Sequence, residues 1–212
     1  MTGSSSRSDL FLALKARAES CRICRDAPAG EPLAHEPRPI LQGTGRARLL
    51  VASQAPGIRA HLSGRPFDDP SGVRLRAWLG LDEAGFYDPD LVAIVPMGLC
   101  FPGHDAQGGD LPPRRECAPV WRAPLLAALP RIRLILAIGL YAQAFHLGRG
   151  PALGARMRLW REILGGDRNP RILPLPHPSW RNSGWLKRNP WFEAELLPVL
   201  RAEVARLRAG DE

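Results

Sequence analysis

The sequence lacks any run of eighteen apolar residues, and its N-terminus lacks the apolar core and small-residue cleavage site of a signal peptide. The first absence excludes a transmembrane helix. The second leads us to expect a cytoplasmic protein. Lysine is nearly absent as well, because the 29 basic residues include only Lys15 and Lys187. The positive charge is therefore carried by arginine, and its placement along the chain is more informative than its sum.

Cysteine is scarce too, and its four positions are Cys21, Cys24, Cys100 and Cys117. Stable disulfides are disfavoured in a reducing cytoplasm. An even number of cysteines that includes a C-x2-C pair indicates metal or cluster ligation in such a chain. The alternative is four unconnected cysteines, two of them buried as small hydrophobic side chains.

Charge and length bound the partner and the domain organisation. A net charge of +8 favours a polyanionic partner such as nucleic acid. A length of 212 residues with 45% hydrophobic content predicts one domain over residues 1–212 with a sizeable core. We expect residues 1–8 to be disordered and residues 9–45 to form an N-terminal helix and an extension. We also expect a monomer.

Four short apolar runs have the pattern of strands buried on both faces. They are residues 47–53, 91–95, 134–138 and 171–175. Helical patterns lie at residues 9–22, 73–81, 115–129, 139–147, 157–164 and 193–208. Strands that alternate with helices indicate βαβ units. We therefore predict an α/β fold, a three-layer α/β/α sandwich with a central four-stranded, mostly parallel sheet.

Three loops leave the carboxyl ends of the proposed strands. Residues 173–192 (LPLPHPSWRNSGWLKRNPWF) contain prolines that exclude one regular helix or strand through the segment, so we predict a long, rigid, cationic loop. The other two loops begin at residues 54–57 (QAPG) and 96–98 (PMG). In a parallel sheet these ends share one edge, where ligands bind. The residues expected to meet in one pocket there are Gln54, Phe67, Pro96 and His177.

The order and spacing of these motifs resemble the uracil-DNA glycosylase superfamily, closest to its bacterial and archaeal iron–sulfur branch (family 4). Residues 53–57 (SQAPG) and 64–67 (GRPF) correspond to that branch's G-E-A-P-G and G-x-P-F segments, at the same mutual spacing. Residues 175–179 (LPHPS) correspond to the superfamily's strand that ends in His-Pro before a DNA-intruding loop. The resemblance covers residues 20–192.

That branch also carries a C-x2-C pair near the N-terminus, a cysteine after the second strand and a fourth further along. Cys21, Cys24, Cys100 and Cys117 match this order, with the last gap one residue longer. The resemblance therefore implies a 4Fe–4S cluster on these four ligands, which would make residues 9–45 a cluster-binding extension. Zinc is the alternative, because four thiolates also bind it.

Three functional side chains of the superfamily are replaced in this chain. Gln54 stands where the iron–sulfur branch has Glu, and Pro96 falls where the Asn that reads the uracil edge stands. Ala55 aligns with the Asp that positions water in the prototype uracil glycosylases. The chain is therefore predicted to be a divergent member.

The chemistry of N-glycosidic hydrolysis gives each candidate a predicted role. His177 donates a hydrogen bond to the departing uracil O2, and Phe67 stacks on the flipped base. Asp68, chosen over Asp69, orients water or stabilises the sugar cation; the alternative is that both are turn and helix N-terminal acids. The other predicted substrate-binding residues are Gln54, Ala55, Pro56, Pro96 and Met97. The predicted DNA contacts are Trp180, Arg181, Asn182, Lys187 and Arg188.

The resemblance implies a uracil-DNA glycosylase that initiates base excision repair on DNA containing uracil or abasic sites. The first alternative is a glycosylase for another deaminated base, hypoxanthine or xanthine, because Pro96 changes the position that reads the base. The second is a DNA-damage or abasic-site binding protein with little turnover, because the Glu and Asn of the family are missing.

Overall fold

The centre of the molecule is one parallel sheet. The computed structural model describes residues 3–210 and the side chains from Leu10 onward, and this part of the chain contains four strands. They are β1 (Leu49–Ala52), β2 (Val92–Ile94), β3 (Leu134–Ile138) and β4 (Arg171–Leu175). Their order is β2-β1-β3-β4, and every neighbouring pair is parallel. The predicted α/β fold with a four-stranded parallel sheet is confirmed.

The helices follow the strands in the alternation that the sequence predicted. They are α1 (Gly3–Glu19), α2 (Ile23–Asp26), α3 (Ile58–Ser63), α4 (Pro70–Leu79), α5 (Glu83–Phe86), α6 (Cys117–Ala127), α7 (Gly139–Leu147), α8 (Leu153–Arg158), α9 (Trp160–Gly165), α10 (Ser183–Arg188) and α11 (Leu197–Ala209). Between residues 3 and 210, none of the helices combines the length and the apolar character needed to cross a membrane.

Both faces of the sheet are covered, which explains why its strands are continuous apolar runs. Successive side chains of a strand point to opposite faces. Leu49 and Val51 of β1 lie in a core that includes residues of α4, α9 and α11. Leu50 and Ala52 lie in a second core, which includes residues of α1 and α6. The molecule is therefore a three-layer α/β/α sandwich.

The N-terminal helix is longer than predicted. Its backbone is helical from Gly3, whereas the sequence predicted disorder over residues 1–8 and a helix from Asp9. Residues 1 and 2 lie outside the described part of the chain. Serine has only a moderate helix propensity, and this weak preference does not exclude a helical backbone.

The C-terminal helix is not regular throughout. Residues Phe192–Leu196 form a π-helical turn, and α11 continues from Leu197. Pro198 has no amide hydrogen to donate to a carbonyl one turn earlier, and a wider turn accommodates the missing bond. The predicted helix at residues 157–164 is likewise divided into α8 and α9, which meet at Leu159.

The segment 173–192 is more regular than the predicted rigid loop. After β4, a 3-10 turn spans Trp180–Asn182 and α10 spans Ser183–Arg188. The prolines stand at positions 174, 176, 178 and 190, so the residues between the last two are free to form helical turns. The Ser179 hydroxyl accepts the Arg181 amide at 3.3 Å and caps the first of these turns.

Candidate active site

A cavity of about 400 Å³ opens at the carboxyl edge of the sheet. The loops after β1, β2 and β4 and the N-terminal turn of α4 surround it. Its volume is within the usual range of ligand pockets, and its position is where parallel sheets bind ligands. Of the residues predicted to form the site, those that line the cavity are Ala55, Pro56, Phe67, Pro96, His177, Trp180 and Arg181.

His177 is held as a hydrogen-bond donor toward this cavity. The Ser179 amide donates to His177 Nδ1 at 3.2 Å, so Nδ1 is the unprotonated nitrogen. In a neutral imidazole the proton is then on Nε2. Asn182 Nδ2 donates to the His177 carbonyl at 2.7 Å and fixes the turn that carries the ring. The residue lines the cavity.

The charge state of His177 agrees with this tautomer. Burial lowers the pKa of His177 below its ordinary value, although the carboxylates of Asp69 and Asp110 act in the opposite direction. The imidazole is therefore neutral at neutral pH. A neutral donor that is already oriented requires no proton transfer before it binds a developing anion.

Phe67 lines the cavity and takes a strained backbone conformation. Its φ is +55°, in the left-handed region that bulky residues rarely adopt. The Tyr87 hydroxyl donates to the carbonyls of Pro66 and Phe67, at 2.9 and 3.3 Å. Gly72 lets the Phe67 carbonyl approach so closely that a Cβ at position 72 would lie 1.8 Å from its oxygen. Such strain persists only where neighbouring groups impose it, and it is concentrated at functional sites.

The structure moves the choice of acidic residue from Asp68 to Asp69. Asp68 is not among the cavity residues, whereas Asp69 is. Asp69 is the N-cap of α4, and its Oδ1 accepts the Gly72 amide at 2.8 Å. Its Oδ2 faces the cavity residue Gly57 and lies 4.0 Å from the position of a Cβ there. Asp69 therefore caps α4 with one carboxylate oxygen, and its other oxygen lies near Gly57 in the cavity.

Gln54 and Met97 do not line the cavity, contrary to expectation. Gln54 turns its side chain away, and its Nε2 donates to the Leu111 carbonyl at 2.9 Å. Met97 is buried in the core between the sheet and α6. The two side chains leave the cavity because each has a partner elsewhere, a carbonyl for the amide and an apolar layer for the thioether.

Sequence reasoning missed several polar residues that line the cavity. Arg59 and Arg74 lie on α3 and α4, and Asp110 lies on the loop after β2. Arg74 Nη1 donates to the Ser179 carbonyl at 3.0 Å, so α4 is tied to the segment that carries His177. The sequence signal for Asp110 was a Gly-Gly-Asp triplet in a loop that follows a buried strand.

The segment after His177 presents an aromatic ring and cations beside the cavity. Trp180 is 73% exposed, an unusual state for the largest apolar side chain. Arg181 lines the cavity, and its Nη2 donates to the Gly108 carbonyl at 3.0 Å. Lys187 and Arg188 are on the last turn of α10 and do not line the cavity. They extend the positive charge beyond the cavity.

A buried arginine supports the wall at Pro96. Arg122 is 2% exposed, and its Nη1 donates to the Val95 carbonyl at 2.8 Å. Its Nη2 lies 2.5 Å from His146 Nε2. Burial lowers the pKa of Arg122 to about 10 and that of His146 to about 3, so the pair carries one positive charge at neutral pH. This network fixes the backbone where β2 ends.

The family comparison agrees with this geometry. The family model of the uracil DNA glycosylase superfamily matches residues 41–201, which is more than half of the chain. The chain belongs to this superfamily. Membership supports a DNA glycosylase type of function, with DNA as the substrate. The matched range of the glycosylase includes all four strands and every residue of the cavity except Ile40.

The four cysteines of this glycosylase surround a second, small cavity. Cys24, Cys100 and Cys117 are buried, and Cys21 is partly exposed. The Leu99 amide and the Trp121 indole each donate to a sulfur at 3.2 Å, to Cys117 and to Cys21. Hydrogen bonds of this kind surround the sulfurs of metal clusters. The donor set therefore fits a thiolate-bound metal or cluster.

Two further observations bear on metal binding by the four cysteines. Burial raises the pKa of Cys100 and of Cys117 to about 12, so these groups are thiols unless a cation stabilises the thiolate. In the part of the chain that the structure describes, no three His, Cys, Asp or Glu side chains are arranged to hold a metal ion. The thiols thus border one space without forming a closed coordination shell.

Proposed function

We propose that this chain is a uracil-DNA glycosylase that hydrolyses the N-glycosidic bond of uracil in DNA and so initiates base excision repair. The observation that carries the proposal is the neutral, preoriented Nε2–H of His177 in a cavity at the carboxyl edge of the sheet. Bond cleavage leaves the electron pair on uracil, and a donor at O2 stabilises the resulting anion. Such a hydrogen bond contributes about 2.7–4 kcal/mol in a dry site.

The other cavity residues fit the remaining requirements. Phe67 offers a ring on which a flipped base stacks, and this contact offsets part of the cost of extrusion. Asp69 contributes negative charge beside the sugar, whose C1′ becomes cationic as the bond breaks. Pro56 and Pro96 are rigid apolar walls. With Ala55 they would shape the base site in place of the side chains that the family normally uses.

Contacts with the DNA backbone are proposed for the segment after His177. Arg181, Lys187 and Arg188 would contact phosphates, and Asn182 holds the turn between them and the imidazole. Trp180 is exposed beside the cavity and would fill the space that the flipped base leaves.

We also propose that the chain belongs to the iron–sulfur branch of the superfamily. Four cysteines around one small cavity, with N–H donors to two of the sulfurs, support this assignment. When bound, the cluster would tie α2 to the loop after β2 and to α6, and no step of the reaction requires it.

The cluster proposal predicts a brown protein that contains about four iron and four sulfide per chain. Replacement of Cys100 by serine should remove the visible absorption and lower the melting temperature. Elemental analysis and thermal unfolding in the presence and absence of an iron chelator measure both effects. Colourless protein with one zinc per chain would establish the four-thiolate zinc site instead.

A second candidate function is removal of another deaminated base, hypoxanthine or xanthine. It is favoured by the cavity lining, in which the described residues provide no Asn or Gln side chain. An amide of that kind reads the base edge through paired hydrogen bonds. Its replacement by Pro96 leaves base recognition to backbone groups and to hydroxyls such as that of Ser53.

The decisive experiment uses labelled duplexes that contain uracil, hypoxanthine, xanthine or an abasic site. Each is incubated with the purified protein, treated with alkali to break abasic sites, and also examined by gel shift. Strand breaks at uracil are the expected result. Breaks confined to hypoxanthine or xanthine would show that the substrate is one of those bases and not uracil. Retention of abasic DNA without breaks would indicate a binding protein and not an enzyme.

A further inference from the structure

The cavity receives a second carboxylate, from a part of the chain without a recognised motif. Asp110 lines the cavity, and its Oδ2 lies 3.6 Å from the position of a Cβ on Gly57. The Asp69 Oδ2 lies 4.0 Å from the same position. Both carboxylates are close enough to act on the His177 imidazole. Both acids therefore approach Gly57 in the cavity, Asp69 from the N-cap of α4 and Asp110 from the loop after β2.

The loop that carries Asp110 is tightly folded on itself. The Leu111 amide donates to the Gly103 carbonyl at 2.9 Å, and the Asp105 amide donates to the Gly109 carbonyl at 2.8 Å. Asp105 Oδ1 accepts the Gly109 amide at 2.7 Å. This closed hairpin leaves Asp110 a defined position at its base.

Three side chains fix the hairpin and the acid. His104 Nε2 lies 3.2 Å from Asp110 Oδ1, which leaves Oδ2 for the cavity. Gln54 Nε2 donates to the carbonyl of Leu111, the next residue. Arg181 reaches across to the Gly108 carbonyl. A glutamate at position 54 has no donor for that carbonyl, so the amide of Gln54 is what this loop requires.

We propose that Asp110 is a catalytic residue that activates the water for hydrolysis, with Gln54 and His104 as its positioning residues. The inference rests on the proposed glycosylase function. Position 54 has no carboxylate in this chain, and the proposal assigns that role to Asp110 on a different loop. Gln54 then supports the loop that carries Asp110.

The reaction balances with these groups. The bond between C1′ and the base nitrogen breaks, and its electron pair passes to the base, whose O2 accepts the hydrogen bond of His177. The water oxygen bonds C1′, and Asp110 takes the proton that the water loses. Asp69 takes no part in the proton transfer, and solvent protonates the released base.

A purely structural role for Asp110 makes a different prediction. If its carboxylate served only to hold His104, asparagine would retain the acceptor oxygen and preserve the loop. Asp110→Asn removes the charge and the basic oxygen but keeps that contact. The substitution thus separates chemistry from support of the hairpin.

The test measures single-turnover release of the base from a duplex, with whichever of uracil, hypoxanthine or xanthine the wild-type protein releases. Asp110→Asn should lower the rate about 100-fold or more, with DNA affinity and melting temperature unchanged. The matched control is Asp167→Asn, the same substitution at an exposed side chain that does not line the cavity. Its rate should stay within about twofold of wild type.

A second measurement addresses the positioning role. Gln54→Met keeps the length of the side chain but removes the donor to Leu111. It should lower the rate about tenfold in the wild-type background and have little further effect with Asp110→Asn, because both act through one carboxylate. Additive losses would contradict positioning through Asp110.

The outcomes separate the two proposals. Base release by Asp110→Asn at the wild-type rate overturns the role of Asp110 and leaves the glycosylase function intact. Equal losses in Asp110→Asn and Asp167→Asn also overturn it, because they show dependence on the net charge of the protein alone. A wild-type protein that releases none of the three bases overturns both proposals.

Discussion

Replacement of His177 by alanine should lower the single-turnover rate of base release about 100- to 1,000-fold. The variant loses the Nε2–H that faces the cavity, and water that replaces the ring is not oriented in advance. Ground-state DNA binding should change little, because the donor acts on charge that develops only as the bond breaks. Rapid-quench kinetics on a uracil duplex and a gel shift with the same DNA measure the two quantities.

The matched control is His35→Ala. His35 is partly buried, stacks on Phe101 with ring centroids 5.4 Å apart, and does not line the cavity. It should retain the wild-type rate. If a correctly folded His177→Ala variant released the base at the wild-type rate, the imidazole would be excluded as the donor.

The pH dependence of the rate gives a further check on His177. Burial holds its pKa below the ordinary value of 6.5, so the folded state favours the neutral ring. The unfolded chain binds the proton more readily, and protonation of this group therefore costs stability as the pH falls below the unfolded pKa. The neutral donor therefore predominates above pH 7, where its contribution to the rate should change little.

Replacement of Gly72 by alanine should displace Phe67, the residue on which the flipped base is proposed to stack. The added Cβ would lie 1.8 Å from the Phe67 oxygen and 2.9 Å from the Phe67 Cβ, so the segment that carries the ring must shift. Overpacking of this kind costs about 1–3 kcal/mol. Displacement of the Phe67 ring by about 1 Å should lower the rate of base release about 100-fold. Thermal unfolding and single-turnover kinetics measure both effects.

Gly165→Ala provides the control for Gly72→Ala. Gly165 ends α9, and a Cβ there meets no atom within 4 Å. Its melting temperature should be unchanged or slightly higher, because alanine is the better helix former. Normal activity and stability in Gly72→Ala would mean that the close approach to Phe67 has no consequence for the site.

The sheet was predictable because each strand is an uninterrupted apolar run. The boundaries of β3 and β4 and of α7 agree with the sequence prediction residue by residue. Parallel strands that are buried on both faces produce this pattern, and the turn residues after each strand mark its end. The edge of the sheet at which Phe67, Pro96 and His177 meet followed from the same reasoning.

Side-chain direction was harder to predict. Asp68 and Asp69 are neighbours in the sequence, and their residue type gives no means of choosing between them. The choice depends on which carboxylate caps α4 and thereby faces the cavity. Gln54 was placed in the pocket by its motif, yet its amide bonds the Leu111 carbonyl instead.

The sequence by itself determined the α/β sandwich, the common edge of the loops, and the position of His177 at that edge, because periodicity and motif order are local properties of the chain. The tertiary structure alone decided the tautomer of His177, the strained Phe67, and the presence of Asp110 in the cavity. These depend on contacts between segments far apart in the chain, such as Gly72 with Phe67 and Gln54 with Leu111. A hydrogen bond of that kind is set by distance and direction in space, which no linear pattern records.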